Sequence, residues 1–111
     1  MTDTISMASA VGVQARALAV VAGIAERHPE LPAAYIVASH ITPTTVVIQL
    51  DHACDVESWR QMLLVAQEDV VLIEHGAGRM RLEFKALAEG IAVEVYAPFL
   101  LAAPCAEGAA A

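Results

Sequence analysis

Positive charge is scarce in this chain: 6 lysines and arginines stand against 13 acids, for a formal charge of −7 over 111 residues. A surface of that sign repels phosphates and lacks the basic stripe that nucleic acids and acidic membranes require, so neither is an expected partner. Cysteine is almost as rare. Cys54 and Cys105 belong to no CxxC pair, and two cysteines are too few for a disulfide scaffold. A reducing, cytoplasmic setting is the simplest expectation. A membrane-spanning run is missing too. The apolar stretch from Ile5 to Ala25 follows Asp3, where a signal peptide would carry positive charge, and holds Gln14 and Arg16 in its middle. A central arginine costs roughly 2.5–3.5 kcal/mol on insertion scales, so the stretch reads as a buried helix of a soluble domain.

What is abundant is aliphatic. The hydrophobic fraction is 58% with few aromatics, and much of the excess is alanine. The length suits one domain, expected over residues 1–103, with a frayed tail over 104–111. From about Met7 to His28, Val13, Ala17, Val20, Val21 and Ile24 form an apolar helical stripe, stopped by Pro29. Two β-branched runs follow, Tyr35 to Ser39 and Thr45 to Leu50, expected to form a hairpin with a three- or four-residue loop around Pro43. That choice leaves the first strand's faces open, whereas Val46, Ile48 and Leu50 alternate towards the core.

A second helix is expected from Val56 to Gln67, with Val56, Trp59, Leu63 and Ala66 on its buried face. Val70 to His75 reads as a strand, and Gly76-Ala77-Gly78 as a turn. Arg79 to Ala88 and Ile91 to Ala97 flank Glu89-Gly90, a two-residue hairpin turn. Pairing Ala88 with Ile91 sets Phe84 against Val95 and Leu82 against Ala97 inside. It also sets Lys85 against Glu94 and Glu83 beside Tyr96 outside. The order α-β-β-α-β-β-β implies an α+β two-layer sandwich, an antiparallel sheet of four to five strands with both helices on one face.

The connector His28-Pro29-Glu30-Leu31-Pro32-Ala33-Ala34-Tyr35 and the Asp55-to-Trp59 segment carry a resemblance. Over the middle two-thirds the chain resembles small uncharacterised proteins of actinomycetes and their mobile elements, which share an HPELPAAY-like connector after an alanine-rich helix. The resemblance implies no activity, substrate or catalytic residue.

The richest chemistry lies in Asp51-His52-Ala53-Cys54-Asp55. The preferred reading is structural: Asp55 caps the second helix through the backbone N–H of Glu57 or Ser58, and Glu57 complements the helix dipole. A metal reading needs His52, Cys54 and Asp51 or Asp55 to be completed by distant His40, His75 or Cys105, without the paired spacing of a zinc site. A nucleophilic Cys54, with His52 or His75 as base, suffers from the negative charge around it. Gly76-Ala77-Gly78-Arg79 lacks the spacing and following helix of a phosphate loop. No metal, cofactor or catalytic residue is therefore assigned.

Three classes of function remain, in order. The first is a non-catalytic interaction protein, self-associating or part of a hetero-complex. The second is a small-molecule binder or enzyme using Cys54 and His52 or a cavity between helices and sheet. The third is an acidic inhibitor or decoy of a nucleic-acid-binding partner. The first leads because the first helix is apolar nearly all round, whereas a two-layer core occupies only one stripe. Val11 and Leu18, with Phe99, Leu100 and Leu101, are left over, and Val11, Leu18 and Leu100 are the expected interface residues. The competing expectation is that the C-terminal apolar piece folds back over the first helix. The charged strand face of Arg81, Glu83, Lys85, Glu94 and Tyr96, softened by Leu87, Ala92 and Val47, is either solvated or a modest contact surface.

Overall fold

A computed structural model describes residues 10–101. A 3-10 turn, Val11–Gln14, leads into helix α1, Ala15–Arg27. Strands β1, Ala34–Val37, and β2, Thr45–Leu50, precede a 3-10 turn at Ala53–Asp55 and helix α2, Val56–Met62. A further 3-10 turn, Gln67–Asp69, leads to β3, Val71–Gly76, β4, Arg79–Ala88, and β5, Ile91–Leu100. The fold is α+β in the expected element order, with five strands. The start of the expected first helix at Met7 and the tail over 104–111 lie outside the described residues.

The strands lie in the order β1-β2-β5-β4-β3. β1 with β2, β3 with β4, and β4 with β5 are antiparallel, but β2 and β5 run parallel. The sheet is therefore mixed, a correction to the antiparallel expectation. Alternation dictates which face of each strand is buried and leaves open which strands become neighbours. β5 carries Ile91, Val93, Val95 and Ala97 on one face, all buried, and β2 carries Val46, Ile48 and Leu50, also buried. The two most completely apolar faces adjoin at the centre, beneath the helices. α1 packs over β2 and β5, and α2 over β5 and β4. Ala17, Val20 and Ile24 from α1 and Val56 and Trp59 from α2 close the core above Phe84. Each large side chain so buried contributes roughly 1.5–3 kcal/mol.

The last hairpin has the expected register, with Ala88 opposite Ile91, Phe84 opposite Val95, Leu82 opposite Ala97 and Lys85 opposite Glu94. Glu89 and Gly90 both take positive φ, 52° and 84°, the type I′ geometry that matches strand twist. β5 runs on past Ala97 to Leu100. Pro98 is tolerated there because the β2–β5 register ends at Gln49 and Tyr96, so its missing N–H faces no partner strand.

Two local expectations are corrected. β1 pairs with β2 from Ala34 opposite Leu50 to Val37 opposite Val47, leaving a longer loop over residues 38–44. Thr45 N–H closes part of it by donating to Thr42 O at 3.0 Å. Helix α2 stops at Met62 rather than Gln67. Leu64 takes φ 59°, Leu64 N donates to Gln61 O at 3.2 Å, and Val65 N donates to Arg60 O at 3.1 Å. That is a Schellman ending with leucine where glycine is usual. Leu63 and Ala66 continued the helical spacing of Val56 and Trp59, but backbone geometry ended the helix.

Candidate interaction surface

With both helices on one side, no other element among the described residues covers the opposite side of the sheet. Strand alternation places on it Tyr35 and Val37 from β1, Val47 and Gln49 from β2, and Glu94, Tyr96 and Leu100 from β5. From β4 and β3 come Arg81, Glu83, Lys85 and Leu87, with Val71 and Ile73. Tyr96 sits at the centre of this face. Its hydroxyl donates to Gln49 Oε1 at 2.8 Å, and the Arg81 guanidinium carbon lies 3.9 Å from its ring centroid. Arg81 Nε approaches Glu83 Oε1 at 2.8 Å without hydrogen-bond alignment, so the pair is an electrostatic contact beside a cation–π contact. Around this polar centre Tyr35, Val37, Val71, Leu87 and Leu100 are between 49% and 77% exposed.

Charge is unevenly divided. Of the 6 bases, Arg79, Arg81 and Lys85 lie on the outer sides of β4, where Glu83 and, on β5, Glu94 oppose them. Among the described residues the acid surplus therefore lies off this face. The outer face is close to neutral, which removes the repulsion that would keep a second protein surface away.

The expected interface residues are divided between the two sides. Val11 and Leu18 are exposed before and along α1, whereas Leu100 is exposed at the end of β5 on the outer parity of the sheet. They form two surfaces rather than one patch. The C-terminal apolar piece extends β5 instead of folding over α1, and Leu101 N donates to Gly78 O at 2.7 Å. Two features were missed in sequence: the edge position of β3, with Val71 and Leu72 exposed on opposite faces, and the exposed Leu64. Pairing order was the absent information for the first. For the second, only the backbone turn at Leu64 carried the signal.

The acid-rich stretch forms the β2–α2 corner. Asp51 and His52 are exposed bends, and Ala53–Asp55 is a 3-10 turn closed by Asp55 N donating to His52 O at 3.0 Å. Asp55 has right-handed helical dihedrals, φ −74° and ψ −17°, and its side chain makes no capping hydrogen bond, which corrects the cap reading. An N-cap side chain reaches its N–H partners from an extended backbone, and the preceding 3-10 turn moves that conformation back to His52. Cys54 is exposed. Among the described residues no three His, Cys, Asp or Glu side chains gather as a metal-binding group. His75 borders a cleft with Arg79, Met80, Pro98, Phe99 and Leu100, which neither His52 nor Cys54 lines. His40 is exposed in the β1–β2 loop.

Glu57 instead works sideways along α2. The Arg60 guanidinium grips both its carboxylate oxygens and Gln61 donates to it at 2.9 Å, and the Arg60 hydrogen bond chiefly holds the Glu57 carboxyl below its ordinary pKa. Arg60 Nη1 also donates to Val65 O at 2.7 Å, tying the pair to the helix ending.

On the helix side a cavity of about 130 Å³ opens between the end of α1, the connector and β1, lined by Val21, Ile24, His28, Pro32, Ile36 and Trp59 among others. Trp59 Nε1 donates to Pro32 O at 3.0 Å and holds its wall. Among the described residues no helix is long and apolar enough to cross a membrane. No protein-family model, curated protein or solved structure matches the chain.

Proposed function

We propose that the protein acts as a non-catalytic interaction module, through contact of its outer sheet face and β3 edge with another protein chain. The observation that carries this reading is the set of exposed apolar side chains, Tyr35, Val37, Val71, Leu87 and Leu100, spread around the polar centre of a sheet face that no described residue covers. Exposed apolar side chains on a face with little net charge leave it open to a modest contact with another protein surface. The connector's resemblance to actinomycete proteins names no activity, so the reading rests on geometry. Purification of the tagged full chain from its native cell, with mass spectrometry, tests it. Partners should be recovered with the wild type and lost with Leu87→Glu, whose exposed position keeps the stability change within about 0.5 kcal/mol. Partners retained in full by Leu87→Glu and Tyr35→Glu would overturn the assignment of this face.

The cavity beside Trp59 favours a second reading, capture of a small apolar molecule. Its volume approaches that of a ~150 Å³ apolar cavity that admits benzene. Ligand-induced thermal shift with benzene or indole, abolished by filling the space with Ile36→Trp, is the result expected on that reading.

A further inference from the structure

We infer that β3 pairs edge to edge with β3 of a second copy of this chain, antiparallel about Leu72, so that two five-stranded sheets become one. This rests on the contact reading above and names its partner and its seam. The backbone supplies the first argument. In antiparallel strands, residues alternate between directing N–H and C=O to one neighbour and to the other. The pair flanking the Glu89-Gly90 turn, Ala88 and Ile91, bonds inward to each other. Consistently, Leu101 N reaches Gly78 O in the same ladder, while Ala92 N turns the other way to Thr44 O. The even residues of β4 thus bond to β5 and the odd ones, Arg81 and Glu83, to β3. Their partners Ile73 and Val71 are therefore engaged. Leu72 and Glu74 direct their N–H and C=O groups outward from the sheet.

An edge of this kind invites pairing unless something blunts it. β3 has no lysine or proline, and its register shift falls between Glu74 and Gly76, at the turn end, leaving Val71 to Glu74 regular. Val71 and Leu72 are 49% and 56% exposed on opposite faces. The other edge is blunted. By the same alternation β1 directs Ala34, Ile36 and Ala38 outward, and the Gln14 side-chain amide already donates to Ala38 O. Pro32 also stands just before that strand.

Self-complementarity selects the partner and the register. With a two-fold axis at Leu72, the two Leu72 residues exchange both backbone bonds, and Glu74 N–H meets Val70 O of the other copy on each side. Val70 N–H is already used within its own chain, donating to Gln67 O at 3.2 Å. Leucine then packs on leucine on the helix side, and Val71 on Ile73 on the outer side. Asp69 comes towards His75 of the other copy, and no acid opposes an acid. Centring on Ile73 instead would set Leu72 against Glu74. The Leu72 register buries apolar groups on both faces and suits a chain that is acidic overall. A strand pair this short buries less than the ~1,600 Å² of a standard interface, so association depends on concentration, in the micromolar range or weaker.

Sedimentation velocity of the full chain from about 1 μM to about 1 mM, a span set by that affinity range, reads the mass. The wild type should rise from one chain towards two. Leu72→Pro removes an outward N–H and leaves the β3–β4 ladder intact, so it should remain a single chain with an unchanged circular-dichroism spectrum. Leu72→Lys should do the same. Amide exchange on the wild type needs no variant to fold: Leu72 and Glu74 should gain protection with concentration, while Val71 and Ile73 are protected throughout. A wild type that stays a single chain over the whole range overturns the proposal. So does a dimer that survives both Leu72 variants with the Leu72 amide unprotected. In either case recovery of partners lost with Leu87→Glu leaves the contact reading standing, and their retention removes both.

Discussion

At the scale of single residues, Leu64 carries the clearest conflict between side chain and backbone. It is 91% exposed, holds φ 59°, and sits where a helix ending favours glycine. Its side chain therefore contributes almost no burial to offset the strain that a Cβ brings to the left-handed region. Leu64→Gly should stabilise the protein by roughly 0.5–1 kcal/mol, less than the full strain because glycine loses more freedom on folding. Urea unfolding should show a higher midpoint at unchanged slope. A lower midpoint would mean that Leu64 packs in solution. Sequence alone could not mark this residue, because Leu63 and Ala66 continue the three- and four-residue spacing of Val56 and Trp59 past it. The stop is made by backbone hydrogen bonds and by Arg60 reaching Val65 O.

At the scale of elements, the connector between α1 and β1 is held by one side chain from a distant helix. Trp59 is 5% exposed, and its indole N–H donates to Pro32 O. The helical spacing of Val56 and Trp59 identifies tryptophan as core, but the partner of its N–H lies 27 residues back in the chain. Trp59→Phe should cost about 1–3 kcal/mol, through a lost hydrogen bond and a residual cavity. The loss should appear locally as faster proteolysis near Leu31, measured by limited digestion below the unfolding transition. The β4–β5 hairpin is the opposite case. Its register was legible residue by residue, because a two-residue turn with glycine, alternating apolar positions and an opposite-charge pair all agree.

For the molecule as a whole, the decisive strand is β5, which pairs locally with β4 and non-locally with β2. The hairpin closes over two residues, whereas the parallel seam waits for α2, β3 and β4 to form a crossover. Loop-closure entropy orders these events. Val46→Ala, at a fully buried position on the seam, should cost about 2 kcal/mol and act mainly by speeding unfolding. Phe84→Leu in the hairpin should mainly slow refolding. Stopped-flow chevrons measure both, and the reverse pattern would place the parallel seam in the nucleus.

What the sequence by itself determined follows from short-range periodicity. The α+β class, the element order, the inward set Val46, Ile48, Leu50, Phe84 and Val95, and the β4–β5 register need only side-chain alternation and turn chemistry. Tertiary structure alone decided that β2 and β5 lie parallel at the centre, since several strands carried compatible apolar faces and alternation does not rank neighbours. It also decided that β3 became an edge with Leu72 exposed, and that Leu100 lies on the opposite side from Val11 and Leu18. The exposed helix residues gave no hint of that split. Whether an apolar side chain is core or contact depends on which elements end up above it, and distant packing settles that, not local pattern.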